Sequence, residues 1–391
     1  MFEGIKVLDF TNNLAGPVVT LMLATFGAEV IKIEKPGKGD DSRGFGTKLE
    51  GESVFFLGHN RGKKSIALEM KKPDALEIIK RLVAQTDVVV ESFRPGVMDR
   101  LGLGFDDLKK INSKIIMCSV SAFGQTGPYS KLAGYDIIAQ GMSGIMDVTG
   151  EADGPPMKVG PSIGDYVTGL NAFGAISAAL YHRAVTGKGQ AIDTCLVDCL
   201  VAANDYAEYA FNGFDVKRNG NHHGLFAPYG VFNGTGGNIV IGILNQKLWN
   251  DFCEVIGRPQ MMNNPKYDDP GKRRHELPEV IEVIEAWLKK YPDMDEPSRI
   301  LKEKGIPCTK VNRLTDLMTD PQILHRKMVV DMEVPYISAG KIKTKGIQIK
   351  FSETPGEIGI PPRVGEHQAD VLKNIGYTEK DIEELKRKGV F

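Results

Sequence analysis

I-K-V-L-D-F (residues 5–10) and A-E-V-I-K-I-E (28–34) are two short, mainly apolar stretches near the start of the chain. Between them lie the loop T-N-N-L-A-G-P (11–17) and the apolar run 18–26, and Pro17 is well placed to open a helix. The stretch therefore predicts a β-α-β unit, which is the building block of a parallel sheet.

The same alternation of apolar strands and helices continues downstream. Strands that are buried on both faces have nearly continuous apolar sequences, so the pattern predicts a Rossmann-like α/β domain with helices on both faces of a parallel sheet. The further elements predicted for this domain are strands at 65–70, 87–93, 114–120 and 191–196, and helices at 73–85, 105–111, 166–184 and 198–211.

A dinucleotide-binding function is disfavoured by the first turn of this domain. Glu34 ends the second strand, where the ribose-binding acid of such a fold would lie. The turn T-N-N-L-A-G-P, however, lacks the glycines of G-x-G-x-x-G, which let the backbone approach a pyrophosphate.

The pattern changes after the loop R-N-G-N-H-H-G (218–224), which we interpret as the entrance to a second domain. The sequence thus predicts a large domain over 1–212 and a smaller α+β domain over 225–328. The elements predicted after the loop are a hairpin at 229–232 and 238–242, helices at 246–256, 277–290 and 296–304, strands within 329–351, and a helical pair at 369–388 that breaks at Gly376.

Composition excludes several classes of partner. The chain has 391 residues, of which 42% are hydrophobic, so it can bury a large core. Its 49 basic and 50 acidic residues give a net charge of −1, and no global field favours nucleic acid or an acidic membrane. The first residues, M-F-E-G-I-K, do not resemble a secretory signal, and no apolar stretch reaches membrane-spanning length. We expect a cytoplasmic protein with neither nucleic-acid nor membrane partners.

The cysteines indicate free thiols. Their number is odd, their spacing forms no disulfide framework, and no neighbouring histidines complete a zinc site. We therefore expect no metal. The five residues are Cys118, Cys195, Cys199, Cys253 and Cys308.

One aspartate stands out in the segment G-P-S-I-G-D-Y-V-T-G (160–169). Asp165 follows a glycine-rich turn and precedes a helix that is rich in small residues. Since aspartate is among the commonest N-cap residues, the local pattern alone favours a capping role. The alternative is a reactive carboxylate at a helix N-terminus, with Gly164 leaving room for a substrate.

Taken together, these segments resemble the class III CoA-transferases, the family of formyl-CoA and carnitine CoA-transferases. The resemblance covers essentially the whole chain, and its strength comes from many individually weak motifs in the correct order. The motifs are V-L-D-F-x-x-x-L-A-G-P (7–17), G-A-E-V-I-K-I-E-K-P-G (27–37), N-R-G-K-K-S-I-A-L (60–68), E-S-F-R-P-G-V-M-D-R-L-G (91–102), S-A-F-G-Q-T-G-P (121–128), G-Y-D-I-I-A-Q-G-M-S-G-I-M-D-V-T-G (134–150), T-G-K-G-Q (186–190), G-E-H (365–367) and L-K-N-I-G-Y-T-E-K-D-I-E-E-L (372–385).

The resemblance implies that CoA moves from an acyl-CoA donor to a carboxylic acid acceptor, with Asp165 as the nucleophile. A carboxylate can attack a thioester to give a mixed anhydride and then an aspartyl-CoA thioester, which splits one difficult exchange into easier steps. CoA thioesters are substrates in this chemistry, and no permanently bound cofactor is implied. We expect the positive helix terminus to keep Asp165 ionised.

The resemblance also implies a glycine-rich loop that closes over the intermediate and offers backbone N–H groups to an oxyanion. In this chain the glycine run is interrupted by polar residues, and a polar surface turn is the alternative interpretation. The loop residues are Gly220, Asn221, His222, His223 and Gly224.

The CoA-binding residues are likewise implied by the resemblance. Lys35, Arg94 and Arg100 follow predicted strands at the ligand-binding edge of the sheet, where they would contact phosphates. Alternatively, the three cations lie on the solvated surface, and Phe93 and Tyr135 are packed aromatic residues. For Lys63 and Lys64, contact with CoA and exposure to solvent remain equal alternatives. The full implied set is Lys35, Leu68, Ser92, Phe93, Arg94, Arg100 and Tyr135.

Two further expectations come from the family. Its architecture is an interlocked homodimer in which the terminal segment, here 329–391, returns to complete the large domain. Some members carry a glutamine that helps to hold the acyl carbonyl, where this chain has Leu14. Either the acyl pocket is more apolar here or another donor substitutes.

Two other functions remain as alternatives. The α-methylacyl-CoA racemases are similar to this chain, but racemisation needs two bases, and Tyr135 stands where that family has a histidine. A tyrosine, with a pKa near 10, is a poor base at neutral pH. The second alternative, a non-catalytic acyl-CoA-binding protein, is disfavoured by the retained Asp165. Dicarboxylates, hydroxy acids, carnitine-like acids and aromatic acids all remain candidate substrates.

Overall fold

The structure is a computed structural model that describes all 391 residues. Its strands are β1 Lys6–Phe10, β2 Glu29–Glu34, β3 Lys48–Leu49, β4 Glu52–Ser53, β5 Lys64–Ala67, β6 Val88–Glu91, β7 Ile116–Ser121, β8 Ala191–Cys195, β9 Tyr229–Gly234, β10 Gly237–Gly242, β11 Cys308–Lys310, β12 Val329–Glu333 and β13 Lys341–Lys345.

Helices connect most of these strands, and three short 3₁₀ turns cover Asp41–Gly44, Pro259–Met261 and Leu314–Met318. The α-helices are α1 Ala15–Thr25, α2 Val54–Asn60, α3 Pro73–Val83, α4 Val97–Arg100, α5 Phe105–Ile111, α6 Asp136–Met142, α7 Ile145–Val148, α8 Ile163–Thr186, α9 Leu196–Ala202, α10 Ala207–Phe211, α11 Gln246–Val255, α12 Pro270–His275, α13 Leu277–Leu288, α14 Asp295–Glu303, α15 Pro321–His325, α16 Gln368–Asn374 and α17 Glu379–Arg387.

The main sheet has six strands in the order β5-β2-β1-β6-β7-β8, and every neighbouring pair is parallel. Leu8 at its centre lies opposite Ile31 on one side and Val89 on the other. From β1 the chain first runs outward to β2 and β5, and then returns to β6 on the other side of β1. In such sheets, ligands bind at this reversal, beyond the carboxyl ends of the strands.

Side chains are buried on both faces of this sheet, as the sequence predicts. On one face Leu8 and Ile66 pack with α3, and on the other Val88 and Val90 pack with α1 and α8. The predicted mixed α/β fold with a parallel sheet is confirmed.

Helices α1 and α8 pack closely near their N-terminal ends because Gly169 has no side chain. A Cβ at this position would lie 2.7 Å from Val18 Cγ1 and 3.0 Å from the Ala15 carbonyl oxygen. Gly169, one of the small residues seen in the sequence of α8, therefore serves the packing of α1 against α8.

The chain divides into two compact units. The first comprises Met1–Ile145, Val159–Ala207 and Pro321–Phe391, and it contains the main sheet. In this unit the terminal segment reaches the edge strand β5, where the N–H of His367 donates to the Ser65 carbonyl at 2.9 Å.

The second unit comprises Met146–Lys158 and Glu208–Asp320. Its antiparallel sheet has the order β11-β10-β9, and the predicted hairpin is present as β9 and β10. Phe232, Trp249 and Trp287 lie in its core.

Three predicted boundaries differ from the structure. Residues 146–158, predicted within the large domain, belong to the second unit, because Arg218 donates to the carbonyls of Asp147 and Gly154. Residues 321–328 belong to the first unit rather than to the small domain. The predicted helix 198–211 is broken into α9 and α10, where the Asn204 side chain donates to the Ser143 carbonyl at 3.2 Å.

All five cysteines are free thiols. None of the helices is both long enough and apolar enough to cross a membrane.

Candidate active site

Asp165 lies within the first turn of α8, which begins three residues before the predicted helix 166–184. Ser162 precedes the helix but makes no side-chain capping bond. Instead, Oδ1 of Asp136 accepts the N–H of Gly164 at 2.7 Å. The capping role that the local pattern favours for Asp165 is therefore filled by Asp136, and the Asp165 carboxylate is not used as a cap.

Gly164 is needed for this arrangement. A Cβ at this position would lie 2.9 Å from Asp136 Oδ1 and 3.0 Å from Leu200 Cδ1. The glycine therefore makes room for the capping carboxylate and for α9 rather than for a substrate, which corrects the interpretation from the sequence.

The surroundings of Asp165 favour its protonated form. Burial, and then the nearby Asp136 carboxylate, raise the pKa of Asp165 to about 7, while the backbone N–H of Ala15 acts in the opposite direction. No basic side chain pairs with it. Desolvation and like charge therefore oppose the helix dipole, which we expected to keep Asp165 ionised. Strongly perturbed carboxyls of this kind are common at functional sites.

The start of α1, which brings the Ala15 N–H to Asp165, is held by a buried ion-pair cluster. Asp9, at the end of β1, accepts the N–H of Thr11 at 2.8 Å and the hydroxyl of Thr20 at 2.7 Å. Lys63 Nζ lies 3.0 Å from Asp9 Oδ2 and 3.3 Å from the Pro17 carbonyl. The cluster thus fixes both ends of the loop that precedes and opens α1.

Lys32 completes this cluster from β2. Its Nζ donates to the Thr11 carbonyl at 2.7 Å and lies 2.8 Å from Asp40. Burial alone would raise the pKa of Asp9, but Lys32 and Lys63 outweigh it and hold that pKa well below its usual range. Burial lowers the pKa of Lys63 to about 8.

This cluster is absent from our predictions from the sequence, and it overturns the two alternatives weighed for Lys63. That lysine is only 2% exposed and binds Asp9, so it is neither solvated nor free for CoA. Lys64 pairs with Glu29 at the surface. The sequence does hold a signal for this cluster, namely an ionisable residue in each of two apolar strands, V-L-D-F and V-I-K-I-E. Charges buried inside a parallel sheet must be paired.

Four of the seven predicted CoA-binding residues line one cleft of about 200 Å³ at the carboxyl ends of β6 and β7. Arg94 is exposed there and forms no ion pair with any residue of the chain. Tyr135 is 70% exposed, so the alternative of a packed aromatic is wrong for it. The four residues are Ser92, Phe93, Arg94 and Tyr135.

The remaining three predicted residues lie outside this cleft. Leu68 is only 1% exposed and packs in the core between the sheet and α3, so its side chain is not available to line a CoA site. Lys35 and Arg100 are exposed cations without an acidic partner.

Buried Glu91 and partly buried Ser92 hold the wall of the cleft. Glu91 accepts the N–H of Phe93 at 2.8 Å, and burial raises the pKa of Glu91 to about 7. The Ser92 hydroxyl accepts the N–H of Asn12 at 3.0 Å, which ties the ends of β6 and β1 together. Sequence reasoning did not identify Glu91, because its contacts depend on the fold of this turn.

The structure also shows the surroundings of Leu14, which stands where some family members have a glutamine. Leu14 is buried at the N-cap position of α1 and does not line the cleft. Its neighbour Asn13 does line the cleft and has a left-handed backbone with φ of 69°. Asparagine tolerates this conformation better than most residues, and it places a polar side chain at the cleft.

The predicted oxyanion loop lies in the second unit and is anchored there. The N–H groups of Gly220, His222 and His223 already donate to backbone carbonyls. Arg274 donates to the His223 carbonyl at 2.9 Å and to Asn219 Oδ1 at 2.7 Å. These three N–H groups are therefore not free to bind an oxyanion in this conformation.

The two loop histidines are partly buried rather than simply polar. His222 packs edge-on against Phe232 with ring centroids 5.2 Å apart, and burial lowers its pKa. His223 stacks on Phe226 at 4.8 Å. The alternative of a solvated surface turn is therefore wrong for both histidines.

Comparison with known proteins identifies the family. Residues 2–368 match the family described as CoA-transferase family III. The succinyl-CoA:glutarate CoA-transferase of Homo sapiens is 39% identical, covering 99% of this chain and 89% of that protein. The formyl-CoA:oxalate CoA-transferase of Streptomyces coelicolor is 35% identical over 99% of this chain and 98% of that protein.

A solved structure agrees with these relatives. A CAIB/BAIF family protein from Brucella suis superposes with a TM-score of 0.83 at 34% identity, covering 96% of this chain and 99% of that one. The named relatives are CoA-transferases, and neither is named as a racemase or a binding protein. The chain belongs to CoA-transferase family III and is a class III CoA-transferase.

Proposed function

We propose that Asp165 is the covalent carrier in the transfer of CoA between two carboxylic acids. The observation that supports this role is a carboxylate at the start of α8 that is neither a cap nor part of an ion pair, and whose pKa is raised to about 7. A carboxylate desolvated in this way is a stronger nucleophile than one in water, because its charge is less stabilised.

The proposed steps conserve atoms and charge. The Asp165 carboxylate attacks the thioester carbonyl, the C–S bond breaks, and CoA leaves as a thiolate from a mixed anhydride. The thiolate attacks the aspartyl carbonyl of that anhydride, the C–O bond breaks, and the donor acid leaves as a carboxylate. The acceptor carboxylate then attacks the aspartyl-CoA thioester, and the same steps in reverse release the new acyl-CoA and regenerate Asp165. In each step the Ala15 N–H is a donor fixed beside the aspartyl oxygens.

For CoA itself we propose the cleft lined by Ser92, Phe93, Arg94 and Tyr135. Arg94 has no protein counter-ion, which suits it to a phosphate, and Lys35 and Arg100 are further unpaired cations for the nucleotide end. Replacing Arg94 or Arg100 with alanine is expected to raise KM for acyl-CoA. If a charged hydrogen bond is lost, the loss of binding free energy is about 1.5–3 kcal/mol. Unchanged KM values in both variants would indicate that Arg94 and Arg100 are solvated surface residues that do not bind CoA.

For the acids we propose short aliphatic dicarboxylates. The relatives named above act on succinyl-CoA and glutarate or on formyl-CoA and oxalate. We also propose that the enzyme is a cytoplasmic homodimer, and that the loop Gly220, Asn221, His222, His223 and Gly224 supplies oxyanion donors after rearranging. These last proposals rest on the family resemblance.

A panel assay tests the function. The purified enzyme is mixed with succinyl-CoA, acetyl-CoA or formyl-CoA and a series of acids, and new acyl-CoA species are followed by mass spectrometry. Transfer to at least one dicarboxylic acid is expected. The same assay in deuterated water, with a chiral 2-methylacyl-CoA and no acid, should give no deuterium at C2, and rapid exchange there would favour the racemase alternative.

A further inference from the structure

A second cavity, of about 270 Å³, lies in the first unit beside the packed helices α1 and α8. Most of its lining surface is apolar, and its polar boundaries include His59, Arg61, Tyr166 and Lys345. The aliphatic wall is formed by Val18, Leu21, Met22 and Leu170. None of our predictions for CoA involves this cavity.

One end of the cavity carries a hydrogen-bonded group of three side chains. His59 Nδ1 lies 2.7 Å from the Phe55 carbonyl, which can only accept, so this nitrogen carries the proton and Nε2 is an acceptor. The Tyr166 hydroxyl lies 2.7 Å from Nε2 and also contacts Lys345 Nζ. Burial, and then Lys345, lower the pKa of His59 to about 4, so the ring is neutral at physiological pH.

Lys345 retains unused donors in this group. Its Nζ lies 3.2 Å from His59 Nε2, whose single lone pair already accepts from the closer Tyr166 hydroxyl. An ammonium has three N–H donors, and both of its partners here are neutral. At least one N–H of Lys345 is therefore left for a ligand.

Arg61 adds a second cation without a counter-ion. It is 4% exposed, and its Nη1 donates only to the Gly58 carbonyl and to the Thr344 hydroxyl. Its buried Nε–H has no partner. No carboxylate of the chain pairs with Arg61 or with Lys345. The Lys345 side chain is exposed, but Arg61 is buried, and a buried charge without a partner is costly.

Two cations and spare N–H donors at one end of an aliphatic cavity match a carboxylate on a short hydrocarbon chain. The cavity also lies close to the proposed reaction centre. Tyr166 directly follows Asp165, and Val18 lies three residues, about 4.5 Å along the axis of α1, beyond Ala15.

We propose that this cavity binds the carboxylate of a short aliphatic acid, with Lys345 and Arg61 as its partners. The inference rests on the proposed function only for the source of that carboxylate, which we take to be the far end of a dicarboxylic substrate whose other carboxyl reacts at Asp165. The Asp165 proposal stands without the cavity.

Direct binding tests the site without requiring turnover. Glutarate is titrated calorimetrically into wild type, Lys345→Met and the control Lys343→Met. Lys343 lies on the same strand and loses the same charge, but it pairs with Asp331. We expect at least tenfold weaker binding in Lys345→Met and unchanged binding in the control. Equal affinity for all three proteins would overturn the site.

Kinetics distinguish the two sources of the carboxylate. If it belongs to the substrate, Lys345→Met should raise KM for glutarate at least tenfold and leave KM for pentanoate, which lacks the second carboxylate, unchanged. If a separate acid occupies the cavity, neither KM changes although glutarate binding is lost. An equal rise in both KM values would contradict a carboxylate-specific role.

The two proposals fail in different ways. Failure of the proposed function would appear as wild-type enzyme that binds glutarate but transfers no CoA. Failure of the inference would appear as normal transfer with unchanged glutarate binding in Lys345→Met. Arg61→Gln provides a second variant for the binding experiment, and thermal unfolding confirms that each variant is folded.

Discussion

Two buried sets of charges in the first unit are built in opposite ways. In the cluster of Asp9, Lys32 and Lys63, the Asp9 carboxylate lies 3.0 and 3.9 Å from the two ammonium groups, and Asp40 adds a further partner 2.8 Å from Lys32. At Asp165 the charged group that acts on the carboxyl is another carboxylate, that of Asp136, and no cation is paired with it. The first set lowers the pKa of its acid and the second raises it.

The difference separates a structural use of buried charge from a chemical one. Paired charges fix the backbone around Thr11 and Pro17 and so position the start of α1. The unpaired carboxylate of Asp165 is held in a state that reaction with a thioester would relieve, since acylation removes its charge. The Ala15 N–H links the two sets. The paired cluster positions it, and it lowers the pKa of Asp165.

The largest expected effect comes from removing the unpaired carboxylate. Asp165→Ala should lower kcat/KM for CoA transfer by at least about 10⁴-fold, or about 5.5 kcal/mol of barrier. Asp106→Ala is the matched control, because Asp106 is also in the first turn of a helix but is exposed. Turnover within tenfold of wild type in the Asp165 variant would remove it from the mechanism.

Removing a charge from the paired cluster should instead act on stability. Asp9→Asn leaves Lys32 and Lys63 buried with one carboxylate fewer, and the expected cost is about 3–5 kcal/mol of unfolding free energy. Urea unfolding measures it. A loss below 1 kcal/mol would show that the cluster does not hold the fold together.

These two sets of charges also differ in how far the sequence could predict them. Most of the predicted strands and helices lie within a few residues of observed ones, because apolar runs and periodicity are local signals. Asp165 was found from its motif. The cap from Asp136 and the pairing of Asp9 with Lys63 were not, since they join residues 28 and 54 positions apart. Leu68 shows the same limit, because only the folded core decides which side of the sheet edge a side chain occupies.

Removing the charge of Asp165 should stabilise the folded protein. The folded pKa of Asp165, about 7, lies above the ordinary aspartate value of 3.8, so ionisation opposes folding. The penalty is absent below about pH 4, grows as pH rises to 7, and is constant above it. Asp165→Asn should therefore be more stable than wild type above pH 7, by up to about 4 kcal/mol. A variant that is less stable at pH 8 would contradict this reading of the site.

The smallest effect isolates the contribution of the neighbouring carboxylate. Asp136→Asn keeps an oxygen that can accept the Gly164 N–H but removes the negative charge beside Asp165. The pH at which kcat/KM reaches half its maximum should fall from about 7 by up to about one unit, or about 1.4 kcal/mol. An unchanged pH profile would assign the raised pKa to burial alone.

The central claim, that Asp165 carries CoA covalently, is tested most directly by trapping the intermediate. Wild-type enzyme is mixed with an acyl-CoA in the absence of acceptor, quenched, digested and analysed by mass spectrometry. We predict CoA attached through a thioester to the peptide that contains Asp165, lost when an acceptor acid is added, and absent from Asp165→Ala. Rapid transfer with no adduct, or with an adduct on a different residue, would contradict the account.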